Sequence, residues 1–246
     1  MNRILFETDE IVNGVATFGG ERAEHVMNVL HGEVGQVLKT GETNGPIGTS
    51  EILSIEQSEQ SNNCKISVRC SHTEKSILPW IDLILAPPRP RVMKRLLPQL
   101  ATMGVGRIFL VGAKKVEKDF WGATLLKEEN YRPLLIDGLI QAGTSILPTL
   151  ETRRNFRKFV KEEVDALWPN SNRVVAHPYH GNQTIKQSNN QTILLAIGPE
   201  GGWTDEEVAL LEEHGFARYS LGSRILRTDT ATVALLAQLM KEFDRC

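Results

Sequence analysis

The sequence predicts an α/β protein in two parts, a small β-rich module followed by a larger domain with a mostly parallel sheet. Two observations lead to this prediction. Up to about residue 73, short strand-like segments alternate with turns, and from about residue 78, apolar strands alternate with amphipathic helices. A length of 246 residues is enough for two domains. We therefore expect one domain over residues 1–73 and a second over residues 74–246.

The composition is that of a globular protein. Hydrophobic residues make up 41% of the chain and charged residues 24%. The net charge of −2 excludes a nucleic-acid coat protein that is basic throughout, but it leaves room for a local basic patch. The longest apolar runs, such as Ile193–Ile197, are far shorter than a membrane span, and the first residues lack the apolar region of a signal peptide.

The cysteines indicate a reducing compartment. There are only three, Cys64, Cys70 and Cys246, and no two of them are spaced as a CxxC pair. An odd number without such a pair argues against a disulfide framework and against a zinc site. We therefore expect a cytoplasmic protein without a metal centre and without a membrane segment.

In the first module, alternation of apolar and polar residues predicts strands and one apolar stripe predicts a helix. The helix is expected over residues 21–30. Asn44-Gly45-Pro46 marks a turn between two of the strands. The expected strands cover residues 15–18, 35–40, 48–55 and 65–69.

In the second domain, strands and helices alternate, which is the pattern of a parallel sheet covered by helices. The expected strands cover residues 81–86, 107–111, 173–176, 192–197 and 217–221. The expected helices cover residues 91–102, 125–140, 156–167, 204–214 and 229–243. Pro133 predicts a break in the second of these helices unless it lies in a first turn. Thr204 and Glu207 have the spacing of a capping box.

Positive charge is concentrated at the start of the second domain. Residues 86–118 contain eight basic residues and one acid, whereas residues 1–73 have a net charge of −5. A polyanion is therefore expected to meet the second domain first. The candidate phosphate contacts are Arg89, Arg91, Lys94 and Arg95. A solvated helix face remains an alternative explanation of this charge.

Several common catalytic motifs are absent. The sequence contains no G-x-x-x-x-G-K-[ST], no G-x-S-x-G, and no G-x-G-x-x-G after the first strand of the second domain. His177 and His180 are three residues apart without a third ligand nearby, so His177 is interpreted as a loop or pocket histidine.

Two segments follow strand ends and lead into helices, which is where open α/β sheets bind ligands. In Ala196–Thr204, glycines allow a ligand to approach the backbone closely, and Glu200 is placed beside it. In Leu221–Ala231, Ile225 and Leu226 lie in a loop, where they suit an apolar slot for a flat ring. A tight turn and a helix cap are the purely structural alternatives.

Together the segments GPEGGWTDEE and LGSRILRTDTATVAL resemble the signature of the RsmE family, ribosomal RNA methyltransferases of the SPOUT class. The stretches HVMNVLHGEVGQVL and RPRVMKRLLPQLATMGVGRIFLV are also similar to that family. The resemblance implies a PUA-like RNA-binding β-barrel over residues 1–73 and a SPOUT methyltransferase domain with a deep trefoil knot over residues 74–246. It also implies a homodimer.

The resemblance further implies S-adenosyl-L-methionine as methyl donor and N3 of a uridine in 16S ribosomal RNA as acceptor. The small ribosomal subunit is then the partner. The residues expected to bind the cofactor are Ala176, His177, Pro178, Ile197, Gly198, Glu200, Gly201, Leu221, Gly222, Ile225, Leu226 and Thr230. Arg3 and Arg22 are added to the four basic residues above as expected RNA contacts.

Uracil N3 carries a proton that must leave before the atom becomes a good nucleophile. Glu200 is the candidate base, and Arg227 or Arg224 the candidate for stabilising the developing uracil anion. Three alternatives remain: a non-catalytic RNA-binding homologue, an enzyme of the same fold that modifies another RNA position, and a small-molecule α/β enzyme.

Overall fold

In the computed structural model, which describes residues 3–57, 64–178 and 192–242, the chain divides into two compact units. The first contains residues 1–77 and 139–147, and the second contains residues 78–138 and 148–246. Each unit has its own cluster of buried apolar side chains. Among the described residues, no helix is long and apolar enough to cross a membrane.

The first unit is built on a six-stranded sheet with the strand order β1-β4-β5-β6-β3-β2. Its strands are β1 (Ile4–Phe6), β2 (Ile11–Val12), β3 (Val15–Phe18), β4 (Val37–Glu42), β5 (Ile47–Gln57) and β6 (Cys64–Glu74). Only β1 and β4 pair in parallel; the other pairs are antiparallel. Helix α1 (Gly20–Asn28) buries Ala23 and Val26 against this sheet's core. The predicted strands and helix are confirmed, whereas β1 was missed because three buried residues show no alternation.

Two arginines expected to contact RNA have structural partners in the first unit. The guanidinium of Arg3 donates to the carbonyl oxygens of Thr40, Gly48 and Gly143, at 2.5–3.1 Å. The guanidinium of Arg22 donates to both carboxylate oxygens of Glu10 and to the Leu5 carbonyl oxygen. Both side chains therefore hold the sheet together.

The second unit contains a six-stranded parallel sheet with the order β12-β10-β11-β7-β8-β9. Its strands are β7 (Ile81–Leu85), β8 (Val105–Val111), β9 (Thr149–Arg153), β10 (Asn172–Ala176), β11 (Ile193–Ile197) and β12 (Ala217–Tyr219). The helices are α2 (Pro90–Thr102), α3 (Glu128–Ala142), α4 (Phe156–Glu162), α5 (Val164–Leu167), α6 (Asp205–Glu213) and α7 (Thr228–Glu242). The mixed α/β fold with a parallel sheet is thus confirmed.

The sequence of each strand matches its place in this sheet. Every residue of β7 and β11 is buried, as expected for central strands of a parallel sheet. Strand β11 is apolar throughout, whereas β7, expected to be continuously apolar, contains Asp82. The edge strand β9 has the sequence TLETR and none of its residues is fully buried, which explains why it was missed.

Two helix predictions need correction. Helix α3 continues through Pro133, which lies in its second turn. Pro133 and Glu129 are both exposed, so water can bond the Glu129 carbonyl that the missing N–H leaves free. The helix expected over residues 156–167 is divided at Glu163 into α4 and α5. The φ of Glu163 is −115°, wider than in a regular helix, and its carboxylate accepts a hydrogen bond from Arg153.

The amino end of the parallel sheet carries a dense polar network. Asp82 is buried and accepts hydrogen bonds from the backbone N–H and guanidinium of Arg107 and from the indole N–H of Trp168, at 2.6–2.8 Å. The Arg107 guanidinium also lies 4.5 Å from the centre of the Trp168 ring. Three residues before Trp168 in the chain, Asp165 forms ion pairs with Arg173 and His214. These five charged or titratable side chains therefore bond one another or Trp168.

Candidate active site

A cavity of about 470 Å³ opens at the carboxyl end of the parallel sheet. Five segments line it: the ends of β10, β11 and β12 with the residues that follow them, the first two turns of α7, and Lys115 in the loop after β8. The predicted strand ends therefore meet at one place, as expected for parallel strands whose loops leave on the same side.

Nearly all the residues expected to bind a cofactor line this cavity. They are Ala176, His177, Pro178, Ile197, Gly198, Glu200, Gly201, Leu221, Gly222, Ile225 and Leu226. Thr230 does not line it. Its side chain is exposed, and its backbone N–H bonds the Asp229 carboxylate at the start of α7.

The turn after β11 is shaped by its glycines. A Cβ on Gly198 would lie 3.1 Å from Cδ1 of Trp203, whose indole packs on Phe156 with 5.1 Å between ring centres. Gly202 has a φ of +70°, a left-handed conformation that side chains disfavour. Because nothing projects from Gly198 into the cavity, a ligand can approach this backbone closely.

Glu207 connects this turn to a second loop. The predicted capping box is confirmed: Thr204 and Glu207 exchange side-chain and backbone hydrogen bonds at the start of α6. The other oxygen of the buried Glu207 carboxylate accepts the backbone N–H of Lys114 at 2.7 Å. Next to it, the Lys115 ammonium donates to the Gly201 carbonyl oxygen at 2.7 Å. The loop after β8 is thereby held against the glycine turn.

The loops after β10 and β12 are also joined to each other. The backbone N–H of His177 donates to the Tyr219 carbonyl oxygen at 3.0 Å, and the Ser220 hydroxyl donates to the Pro178 carbonyl oxygen at 3.3 Å. Strand β12 ends at Tyr219, two residues earlier than expected, because Ser220 turns toward these partners and toward Gly222.

Apolar side chains are exposed around the cavity. Leu221, Ile225 and Leu226 expose 40%, 70% and 37% of their surface, although all three line the cavity wall. Three large apolar residues exposed on one loop favour an apolar ligand surface that covers them.

The three candidate catalytic residues occupy different positions. Glu200 and Arg224 line the cavity, whereas Arg227 is exposed and does not. Glu200 lies beside the Arg89 guanidinium, with 3.8 Å between Oε2 and Nε. Arg89 donates from the same Nε to the Glu117 carboxylate at 2.9 Å. The hydrogen bond to Glu117, together with the charge of Glu200, raises the pKa of Arg89 above its usual value.

The basic residues of α2 share one exposed face. Arg91, Lys94 and Arg95 are all exposed. Arg95 forms an ion pair with Asp229 at 3.3 Å and so connects α2 to the first turn of α7.

Several residues that line the cavity were not expected from the sequence. Lys115 was recognised only as one member of the basic cluster, and nothing in the sequence relates it to Gly201, 86 positions away. Pro199, Gly202, Trp203, Thr228 and Ala231 lie inside the two predicted segments but were not named individually. The lining residues outside those segments are Lys115, Tyr219, Ser220 and Leu235.

Among the residues with described positions, no group of three or more His, Cys, Asp or Glu side chains is arranged to hold a metal ion. His180 lies outside the described residues.

Comparison with known families gives this cavity a context. The family model described as RNA methyltransferase domain matches residues 74–240, which include every residue that lines the cavity. The chain belongs to this family. The predicted family resemblance is therefore confirmed at the level of an RNA methyltransferase.

Individual members of the RNA methyltransferase family are similar over nearly the whole chain. Ribosomal RNA small subunit methyltransferase E of Treponema pallidum is 29% identical, over 98% of this chain and 91% of its own length. Ribosomal RNA small subunit methyltransferase E 1 of Borreliella burgdorferi is 26% identical, over 95% of each chain. The crystal structure of ribosomal RNA small subunit methyltransferase E from Neisseria gonorrhoeae, bound to S-adenosyl methionine, superposes with a TM-score of 0.74. That alignment covers 98% of this chain and 97% of that chain at 21% identity, and it supports the fold.

Proposed function

We propose that the protein transfers a methyl group from S-adenosyl-L-methionine to N3 of a uridine in 16S ribosomal RNA of the small subunit. One observation carries the proposal: three strand-end loops and the start of α7 surround a single cavity in a chain of the RNA methyltransferase family. The names of the relatives from Treponema and Borreliella support small-subunit ribosomal RNA as the substrate.

The residues around the cavity fit this cofactor. The cavity has a volume of about 470 Å³, which lies in the range of small-molecule sites. The exposed apolar side chains of Leu221, Ile225 and Leu226 suit the two faces of an adenine ring, and the glycine turn offers backbone groups to polar atoms. When bound, S-adenosylmethionine supplies a methyl group on a positively charged sulfur.

Two residues are proposed to act on the acceptor base. Glu200, at the cavity wall, receives the N3 proton, and Arg224, on the facing loop, stabilises the negative charge on the base. Positioning of the two reactants contributes further, by up to roughly 7–11 kcal/mol in the best intramolecular cases. Because Arg227 lies outside the cavity, we assign it to RNA contact. Replacing it by alanine is expected to lower methyl transfer more than cofactor affinity.

The RNA is proposed to contact the basic face of α2 through Arg91 and Lys94, which are exposed. Arg89 and Arg95 are also exposed, but they form ion pairs with Glu117 and Asp229. The first unit, proposed as a PUA-like barrel, gives the RNA a second contact. Arg3 and Arg22 are left out of that contact because their donors already bond groups within the unit.

Three further features are proposed from the family resemblance: a deep trefoil knot in the second domain, a homodimer, and action in the cytoplasm. The placement of β11 between β10 and β7 is compatible with a chain that threads back through the sheet. Cys64 and Cys70 are free thiols, which supports a reducing compartment. Light scattering of the purified protein tests the dimer: a mass of one chain contradicts it.

The deciding experiment compares methylation in cells with and without the gene. We expect one N3-methyluridine in 16S ribosomal RNA to disappear on deletion and to return when the purified protein and S-adenosylmethionine are added to small subunits. A mark lost at another atom or position would favour the alternative enzyme of the same fold. Absence of saturable cofactor binding would favour a non-catalytic RNA-binding protein.

A further inference from the structure

A second, smaller cavity of about 190 Å³ adjoins the large one. Four residues line both cavities and so form the wall between them: Lys115, Pro199, Glu200 and Gly201. The rest of the small cavity is lined by Pro87, Pro88, Arg89, Glu117 and the buried Phe120. In a group transfer the reacting atoms must come within about 3–3.5 Å, so a site for the methyl acceptor has to share a wall with the site for the donor.

Cations and carboxylates alternate around the small cavity. Arg89 lies 3.8 Å from the Glu200 carboxylate, and Lys115 bonds the backbone of the next residue, Gly201. The Glu117 carboxylate also lines this cavity and accepts a hydrogen bond from Nε of Arg89. A separation of 3.8 Å is too long for a hydrogen bond, so Arg89 and Glu200 do not use up each other's donors and acceptors. The side chains of Arg89 and Glu200 are 65% and 45% exposed, and a ligand can therefore reach both.

This order of charges complements one edge of uracil. That edge presents an acceptor oxygen, the N3–H donor and a second acceptor oxygen. Cytosine presents an unprotonated N3 next to an amino group, which would put a lone pair against the Glu200 carboxylate. Cytosine would leave the Glu200 carboxylate without a donor, so such a site discriminates between the two bases.

We propose that the small cavity is the acceptor-base subsite, and that Arg89 and Lys115 are uracil-recognition residues rather than phosphate contacts. The proposal rests on the proposed function. Arg89 and Lys115 donate to the two uracil oxygens, and Glu200 takes the proton from N3. Because Arg224 lines only the large cavity, these two cations replace it as the groups that stabilise the negative charge of the base. The N3 lone pair forms the new bond to the methyl carbon while that carbon's bond to sulfur breaks. The sulfur keeps the electron pair, which leaves S-adenosylhomocysteine, N3-methyluridine and a proton on Glu200.

The test compares Arg89→Gln with Arg91→Gln. Both remove one exposed charge near the start of α2, but only Arg89 lines the small cavity, and neither lines the large one. For Arg89→Gln we expect S-adenosylmethionine affinity within twofold of wild type and a kcat on small subunits about a hundredfold lower, as when one charge-stabilising donor is removed. The slope of log affinity for RNA against log salt should stay unchanged. For Arg91→Gln the slope should fall by about one unit and the KM for RNA should rise.

If Arg89→Gln keeps the wild-type kcat and instead lowers the salt slope by about one unit, Arg89 is a phosphate contact. The assignment of the small cavity as the acceptor-base subsite is then wrong. Thermal melting of both variants checks the fold. A second measurement replaces the target uridine by cytidine in reconstituted small subunits. We expect wild-type protein to leave the cytidine unmethylated, and methylation at the uridine rate would overturn the proposal. If wild-type protein methylates no small subunit at all, the proposed function fails instead.

Discussion

The two ends of the parallel sheet in the second unit are built in opposite ways. At the amino end, Asp82, Arg107 and Trp168 satisfy one another through hydrogen bonds and a cation–π contact. At the carboxyl end, the loops carry glycines, exposed Leu221 and Ile225, and a cavity of about 470 Å³. The same strands connect both ends, so the difference lies in the residues placed just before and just after them.

This contrast indicates that one end of the sheet stabilises the fold and the other binds a ligand. In a network whose donors and acceptors are paired with one another, few groups are free to bond a ligand. Removing one member leaves buried polar groups without partners. Exposed apolar side chains and the accessible backbone of glycines contribute little to the stability of the fold. A ligand that covers them removes them from water, which contributes to binding affinity. Substitutions at the amino end should therefore change stability, and substitutions at the carboxyl end should change binding.

The largest expected effect is at the amino end. Asp82→Ala removes the acceptor of Trp168 Nε1 and the ion pair of Arg107. We expect the free energy of unfolding to fall by about 3 kcal/mol, since buried donors lose their partner. Urea denaturation measures this change. At a temperature where the variant is folded, its S-adenosylmethionine affinity should equal that of wild type, and a tenfold change would show that the two ends are not independent.

A smaller effect is expected at the carboxyl end. Gly198→Ala places a Cβ 3.1 Å from Trp203 and forces the glycine turn to shift. We expect S-adenosylmethionine affinity to fall about tenfold, which corresponds to about 1.4 kcal/mol, as measured by calorimetric titration. Gly122→Ala is the matched control, because no atom lies within 4 Å of its added Cβ. Equal affinities in the two variants would contradict the importance of this turn.

The smallest effect concerns pH. The hydrogen bond from Arg173, together with that from His214, lowers the pKa of Asp165 below its ordinary value. A lowered carboxyl pKa stabilises the fold above the unfolded-state pKa of about 3.9, and this contribution is lost as pH falls through the folded-state pKa. Asp165→Asn should therefore show a slightly smaller loss of stability than wild type on acidification below about pH 4. Denaturation midpoints at pH 3 and pH 7 test this, and an identical pH dependence would argue against it.

The sequence predicted the carboxyl end of the sheet better than the amino end. Gly198 and Leu226 stand in motifs that directly follow apolar strands, so chain position alone indicates that they meet. Asp82 and Trp168 are 86 residues apart, and no local pattern relates a lone aspartate in an apolar strand to an indole.

The same limit applies within the site. Thr204 and Glu207 were recognised from their spacing as a capping box, but the second bond of Glu207, to the Lys114 N–H, joins residues 93 positions apart. Local signals predict caps, turns and strand ends, whereas contacts between distant loops follow from how the sheet brings them together. The sequence does not predict strand β9 for a related reason. This strand lies at the edge of the sheet, where its residues are only partly buried, and its sequence therefore lacks an apolar pattern.

The most direct test of the account is a titration of S-adenosylmethionine into two variants that each remove one exposed apolar side chain. Ile225 is 70% exposed at the cavity wall, and Val12 is 64% exposed in the first unit. We expect saturable binding that Ile225→Ser weakens about tenfold and Val12→Ser leaves unchanged, since a covered side chain of this size is worth about 1.5 kcal/mol or more. Equal affinities in both variants, or no saturable binding in wild type, would contradict the assignment of the cavity.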